Sequence, residues 1–127
     1  MRIEHVAMWV QDLEGMRDFY VRYFNGRSSP KYTNPRTGFT SYFITFTSGA
    51  RLELMHRADV PANLNSGEAQ GLTHLAMATG SREAVNQLTE MLRKDGCRVV
   101  GEPRTTGDGY YESVVLDPEG NRIEMTA

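Results

Sequence analysis

Residues 2–10 (RIEHVAMWV) alternate apolar with polar side chains and carry Val, Ile and Trp, the pattern of a half-buried strand. The period then changes. Asp12 stands as an N-cap, and from Leu13 the apolar residues Met16, Phe19, Tyr20, Tyr23 and Phe24 share one helical face that ends at Asn25-Gly26. The same succession returns after residue 70. An alternating stretch around Leu72–Met77 precedes a Ser81 cap and a helix carrying Val85, Leu88, Met91 and Leu92, which stops at Asp95-Gly96. Each helix leads into a short strand, a loop and a hairpin. The first hairpin pairs residues 41–46 with 51–55 around Ser48-Gly49. The second pairs residues 111–116 with 122–126 around Asp117-Pro118-Glu119-Gly120-Asn121. The polar stretch from Arg57 to Gly71, with Pro61, Asn63, Asn65 and two glycines, reads as a linker.

The two halves share more than a period. Ile3-Glu4-His5-Val6-Ala7-Met8 matches Leu72-Thr73-His74-Leu75-Ala76-Met77 at an offset of 69, and the caps Asp12 and Ser81 repeat it. The helix-ending glycines Gly26 and Gly96 lie 70 apart. Pro35-Arg36-Thr37-Gly38 is mirrored by Pro103-Arg104-Thr105-Thr106-Gly107 at 68, and Gly49-Ala50-Arg51-Leu52-Glu53-Leu54 by Gly120-Asn121-Arg122-Ile123-Glu124-Met125 at 71. Matches in constant order at a nearly constant offset indicate a tandem duplication. The expected fold is α+β, a single domain over 1–127 built from two βαβββ modules, about 1–56 and 71–127, joined by a linker at about 57–70.

Composition narrows the chemistry. The chain of 127 residues is 39% hydrophobic and 24% charged, a globular balance. Fourteen basic against sixteen acidic residues give a net charge of −2, which makes nucleic acid or an anionic membrane a poor electrostatic partner. No apolar run has membrane-spanning length, and Met1–His5 opens no signal-peptide core, so a cytoplasmic location is expected. Cys97 is the only cysteine, which excludes an intrachain disulfide and a cysteine-based zinc site. It reads as a small core residue at the start of a strand. A bound metal must therefore be held by His and carboxylates.

Alternation along a strand puts His5 with Ala7 and Trp9 on one face, against Val6, Met8 and Val10 on the other. Glu53 stands opposite Leu52 and Leu54, Glu124 opposite Ile123 and Met125, and His74 opposite Leu75. The apolar stripes can pack on the helices, which leaves the four donors on the other face. A solitary His or Glu in a strand is usually just hydrogen-bonded or solvated, and His56, with no counterpart in the second module, is read that way. His5, Glu53, His74 and Glu124 recur at equivalent repeat positions, which a metal on a pseudo-twofold axis explains if the two sheets curve toward each other. Such donors suit zinc, nickel, iron, cobalt or manganese. Arg36 and Arg104 fall in matching loops, where an anionic substrate or plain solvation would each account for them.

With these residues in place, the chain resembles the vicinal oxygen chelate superfamily and, within it, the glyoxalase I-like proteins. The resemblance covers nearly the whole sequence. It is carried by the His-Glu-His-Glu set and by Arg51-Leu52-Glu53-Leu54-Met55, Gly71-Leu72-Thr73-His74-Leu75-Ala76 and Asp117-Pro118-Glu119-Gly120-Asn121-Arg122-Ile123-Glu124. It implies an eight-stranded cup-shaped sheet formed by two modules, within one chain or between the chains of a homodimer. It implies one divalent metal, zinc or nickel before manganese, cobalt or iron, held by His5, Glu53, His74 and Glu124. It implies a lyase or isomerase that stabilises an enediolate-type anion of a small substrate, with Glu124 as proton carrier and Glu53 as a second catalytic candidate. The sequence departs from bacterial glyoxalase I at two positions that contact glutathione there: Trp9 replaces an Arg, and Arg57 replaces an Asn. Other readings of the same fold are a ring-cleaving dioxygenase, a thiol transferase acting on an antibiotic epoxide, and a non-catalytic binding or resistance protein whose pocket includes aromatics such as Trp9, Tyr42, Phe43 and Tyr111. A fourth ligand, Glu53, argues against the dioxygenase, which uses two His and one Glu.

Overall fold

Asp12 opens the first helix as its spacing predicts, its side chain accepting the Gly15 N–H at 3.0 Å. The helix α1 runs Leu13–Phe24 and ends at Asn25, which takes the left-handed conformation (φ 51°) that closes a helix. A computed structural model describes residues 1–62 and 70–127. The linker residues Asn63 and Asn65 and the first linker glycine, Gly67, lie outside them. The chain divides into two units, Met1–Asn65 and Ser66–Ala127.

The first unit adds β1 (His5–Trp9), β2 (Arg27–Ser28), β3 (Tyr32–Thr33), β4 (Thr40–Thr45) and β5 (Arg51–His56) to α1. Its sheet has the order β1-β5-β4-β2, with β3 also pairing β4. β1 runs parallel to β5 and the other pairs are antiparallel. The second unit holds β6 (Leu75–Ala78), α2 (Arg82–Lys94), β7 (Val99–Thr105), β8 (Tyr111–Leu116) and β9 (Arg122–Thr126), in the sheet order β6-β9-β8-β7. The strand expected after α1 is split in two because Pro30 has no N–H to give the ladder. The Ser29 hydroxyl fills part of the gap by accepting the Phe43 N–H at 3.0 Å. In β7 the edge strand keeps its length around Pro103 by shifting register on either side of Gly101.

One face of each sheet is covered by its helix. In the first unit Met16, Tyr20, Ile44 and Leu54 lose all contact with solvent, and in the second Val85, Leu92, Val115, Ile123 and Met125 do. Burying each such aliphatic side chain is worth about 1.5–3 kcal/mol. The two cores differ. Where the repeat puts Tyr20 and Tyr42 in the first unit, the second has Thr89 and Ser113, fully buried and hydrogen-bonded to each other at 2.7 Å. Thr89 also donates to the Val85 carbonyl, so no buried hydroxyl of that pair is wasted. Met91, expected on the buried face of α2, is exposed, and Thr89 takes that role.

Tyr42 and Tyr111 face the helices. The Tyr42 hydroxyl donates to Glu14 at 2.9 Å, and Tyr111 donates to Asn86 at 2.8 Å. Lys31 first and Tyr42 second hold the Glu14 carboxyl below the usual carboxylate range. The Arg36–Arg104 correspondence fails. Arg36 sits in the turn between β3 and β4, whereas Arg104 lies inside β7 and faces Glu112. The turn matching residues 34–39 is 106–110, closed by Thr106 N–H to the Tyr110 carbonyl. Cys97 is half-buried at the end of α2, and burial pushes its thiol up.

Gly26 packs tightly enough to test. A Cβ there would meet Ile44 Cγ2 at 2.4 Å and the Tyr20 carbonyl oxygen at 3.0 Å. Gly26→Ala is therefore expected to destabilise the protein by about 1–3 kcal/mol through overpacking, read as a lower urea midpoint at unchanged m-value. A midpoint matching the wild type would contradict the close approach of α1 to β4.

Candidate metal-binding half-sites

The parallel pairing of β1 with β5 sets His5 against Arg51, Ala7 against Glu53 and Trp9 against Met55. All six side chains therefore share the face away from α1. Ala7 offers only a methyl group opposite Glu53. The carboxylate is free to lean along the strand, and His5 reaches it on the diagonal, Nε2 to Oε2 3.7 Å. The second unit repeats the construction. Ala76 lies opposite Glu124 in the pairing of β6 with β9, and His74, just before β6, approaches Glu124 with Nε2 to Oε2 3.6 Å. In both pairs the histidine is about 40% exposed and the glutamate less than 20%.

The structure thus brings the four predicted donors together in two pairs, one in each unit. Among the described residues no group of three or more His, Cys, Asp and Glu side chains is placed to hold a metal ion. The chemistry of each pair fits one. Two donors bound to the same first-row ion at about 2.0–2.2 Å lie roughly 3.0–3.5 Å apart, so each pair needs a shift of only a few tenths of an ångström. His56 takes the structural role expected of it, its Nδ1 bonded to the Val10 carbonyl at 2.9 Å.

His5 is held on several sides. Its Nδ1 is hydrogen-bonded to Glu4 Oε2, its ring stands edge-on to Phe43 with centroids 5.4 Å apart, and Arg51 lies over the same Phe43 ring at 4.2 Å. Arg51 Nε also donates to Glu4 Oε1 at 2.8 Å. The bond from His5, and then that from Arg51, keeps the Glu4 carboxyl below the usual carboxylate range. Further along the same face Trp9 meets Phe39 edge-on, and Arg57 stacks over the indole at 5.5 Å while pairing with Asp59.

In the second unit the pair opens into a pocket of about 490 Å³ that also includes Thr106, Asp108, Tyr110 and Glu112. Sequence reasoning missed Glu112. Its carboxyl is pushed up by burial first and then by the Glu124 carboxylate and their hydrogen bond, against the pull of Arg104. The signal was available. A hairpin centred on residue 119 places Glu112 opposite Thr126, one pair from Glu124 on the same face, as the register shows.

A family profile described as the Glyoxalase/Bleomycin resistance protein/Dioxygenase superfamily matches residues 2–125. An uncharacterised protein of Bacillus subtilis (strain 168), YqjT, is 27% identical over 135 residues, covering 98% of both chains. Among solved structures, a glyoxalase family protein from Enterococcus faecalis is 23% identical with a TM-score of 0.78, covering 98% of this chain and 96% of its own. Glyoxalase I from Zea mays is 23% identical with a TM-score of 0.79; this chain is covered to 98% but spans only 44% of the maize protein. The trypanothione-dependent glyoxalase I of Leishmania major, 23% identical, has a TM-score of 0.78 over 99% of this chain and 86% of its own. The profile match over nearly the full length agrees with the repeated strand–helix–hairpin units and their paired His and Glu, and the chain belongs to the Glyoxalase/Bleomycin resistance protein/Dioxygenase superfamily, also called the vicinal oxygen chelate superfamily.

Proposed function

We propose that the protein is a metal-dependent enzyme of the glyoxalase I type, a lyase or isomerase acting on a small oxygenated substrate. The observation that carries this reading is the doubled His–Glu pair. The two cores have diverged in the residues that fill them, yet the open faces keep the same Ala opposite Glu, with His on the diagonal at 3.7 and 3.6 Å. Packing demands no such repetition, whereas a shared ligand does. In this reading His5, Glu53, His74 and Glu124 together hold one divalent ion, zinc or nickel by preference, within one chain or across a homodimer.

The metal, when bound, would polarise a substrate oxygen and steady the anion left by loss of an adjacent proton. The chain supplies the rest. Glu124 carries the proton between neighbouring carbons, and Glu53 is the second carboxylate able to do so. Two features support a substrate other than glutathione hemithioacetal. Trp9 offers an indole where bacterial glyoxalase I has an Arg for glutathione, and the nearby Arg57 is already matched by Asp59. A homodimer would cover the edge of β1, the terminal strand of its sheet, which supports that assembly. No helix among the described residues is long and apolar enough to cross a membrane.

Single Ala substitutions of His5, Glu53, His74 and Glu124 should each weaken zinc or nickel binding by more than about a hundredfold, the upper range for outer-shell losses. A substitution in either pair that leaves affinity unchanged would remove that pair from the site. Glu124→Gln keeps a ligand oxygen but not a base. It should retain metal and lose most turnover, and full activity in the loaded variant would exclude Glu124 as the base. Methylglyoxal with glutathione should be turned over poorly in comparison with other thiol adducts, and efficient turnover would contradict the reading of Trp9 and Arg57. Light scattering should give twice the 14.3 kDa chain mass; a monomer at micromolar concentration would contradict the dimer.

A further inference from the structure

We propose that Glu4 is a positioning residue for His5, acting on both the proton and the charge around that ligand. The inference rests on the metal reading above. It starts from an asymmetry: the two half-sites repeat their donors, but the residue before His5 is Glu4 while the residue before His74 is Thr73.

The geometry gives Glu4 two tasks, one for each oxygen. Oε2 accepts from His5 Nδ1, which fixes the ring proton on that nitrogen and turns the lone pair of Nε2 toward Glu53. Oε1 accepts from Arg51, bonded at Nε at 2.8 Å and also paired through Nη2. Arg51 is the direct cross-strand neighbour of His5. An uncompensated guanidinium in that position would repel a divalent ion arriving at Nε2. The Glu4 backbone carbonyl also accepts the Arg51 N–H at 3.0 Å, so main chain and side chain hold the same partner. Phe43 completes the arrangement, edge-on to His5 and beneath Arg51, and limits rotation of the imidazole. Both Glu4 oxygens are engaged, Oε2 by His5 and Oε1 by Arg51.

The test uses the whole 127-residue chain and two independent readouts. In metal-free protein at a pH where imidazole is neutral, nitrogen-15 NMR of the histidine rings should show His5 protonated at Nδ1. Glu4→Ala should move that proton toward Nε2 and leave the His74 signals unchanged. Glu4→Gln, which still offers an acceptor oxygen, should keep the wild-type tautomer. For zinc or nickel, Glu4→Ala should weaken affinity about 10–100-fold, and Glu4→Gln should recover only part of the loss because the Arg51 charge stays unmatched. Adding Arg51→Ala to Glu4→Ala should restore affinity relative to Glu4→Ala alone. Thermal unfolding of the metal-free variants should match the wild type, since the contact is exposed. Unchanged ring signals and unchanged affinity in Glu4→Ala would overturn the role of Glu4. A wild-type protein that binds neither metal would instead overturn the metal reading itself, and the ring signals would still decide whether Glu4 sets the His5 proton.

Discussion

A parallel strand pair displaced by one residue would turn every side chain of β1 to the other face, and His5 would point at α1 instead of toward Glu53. The register of β1 on β5, and of β6 on β9, is therefore the constraint on which the remaining arrangement depends. It fixes Ala7 opposite Glu53 and Ala76 opposite Glu124. A larger residue at either alanine would occupy the space into which the carboxylate leans. The register in turn is enforced from behind. Leu52, Leu54, Ile123 and Met125 must be buried against the helices, and each flanks Glu53 or Glu124 directly in sequence.

Because the helix-covered and open faces of each strand are coupled only through alternation, they have been free to change separately. The covered faces did change. A tyrosine pair in one unit corresponds to a hydrogen-bonded Thr–Ser pair in the other, a different way of filling and satisfying the same position. The open faces kept their donors but gained different surroundings: Glu4, Arg51 and Phe43 around His5, and Glu112 with Asp108 and Tyr110 around the His74–Glu124 pair. A duplicated module thus supports two half-sites with one donor chemistry and unequal electrostatics. On the reading proposed above, both pairs hold the metal, and the proton falls to Glu124 before Glu53.

Much of this was legible in the sequence. The caps Asp12 and Ser81, both helix ends, and the second hairpin with its turn at Asp117 follow from local chemistry, and the structure repeats them almost residue for residue. Asp117 shows why: its side chain accepts the N–H groups of Glu119 and Asn121, so the turn is determined within five residues. The pairing of His5 with Glu53 and of His74 with Glu124 was legible because repetition marks those four residues. What escaped depended on pairings that no local pattern specifies. The split at Pro30 of the strand that follows α1 is resolved by a Ser29–Phe43 contact from another strand. The mismatch of Arg36 with Arg104 arises because the strand after each helix is irregular in a different way: it is split at Pro30 in the first unit and shifts register around Gly101 in the second. Glu112 escaped because a lone glutamate on a strand carries no signal until its partner across the hairpin is known.

On the reading proposed above, two His–Glu pairs, one from each unit, serve a single ion. The most direct measurement is the number of divalent ions bound per chain at saturation, by titration calorimetry or native mass spectrometry with zinc and with nickel. One ion per chain is expected, with the site lost when either pair is removed. Two ions per chain, one surviving the loss of His5 and Glu53 and the other surviving the loss of His74 and Glu124, would show that each pair binds alone and would contradict it.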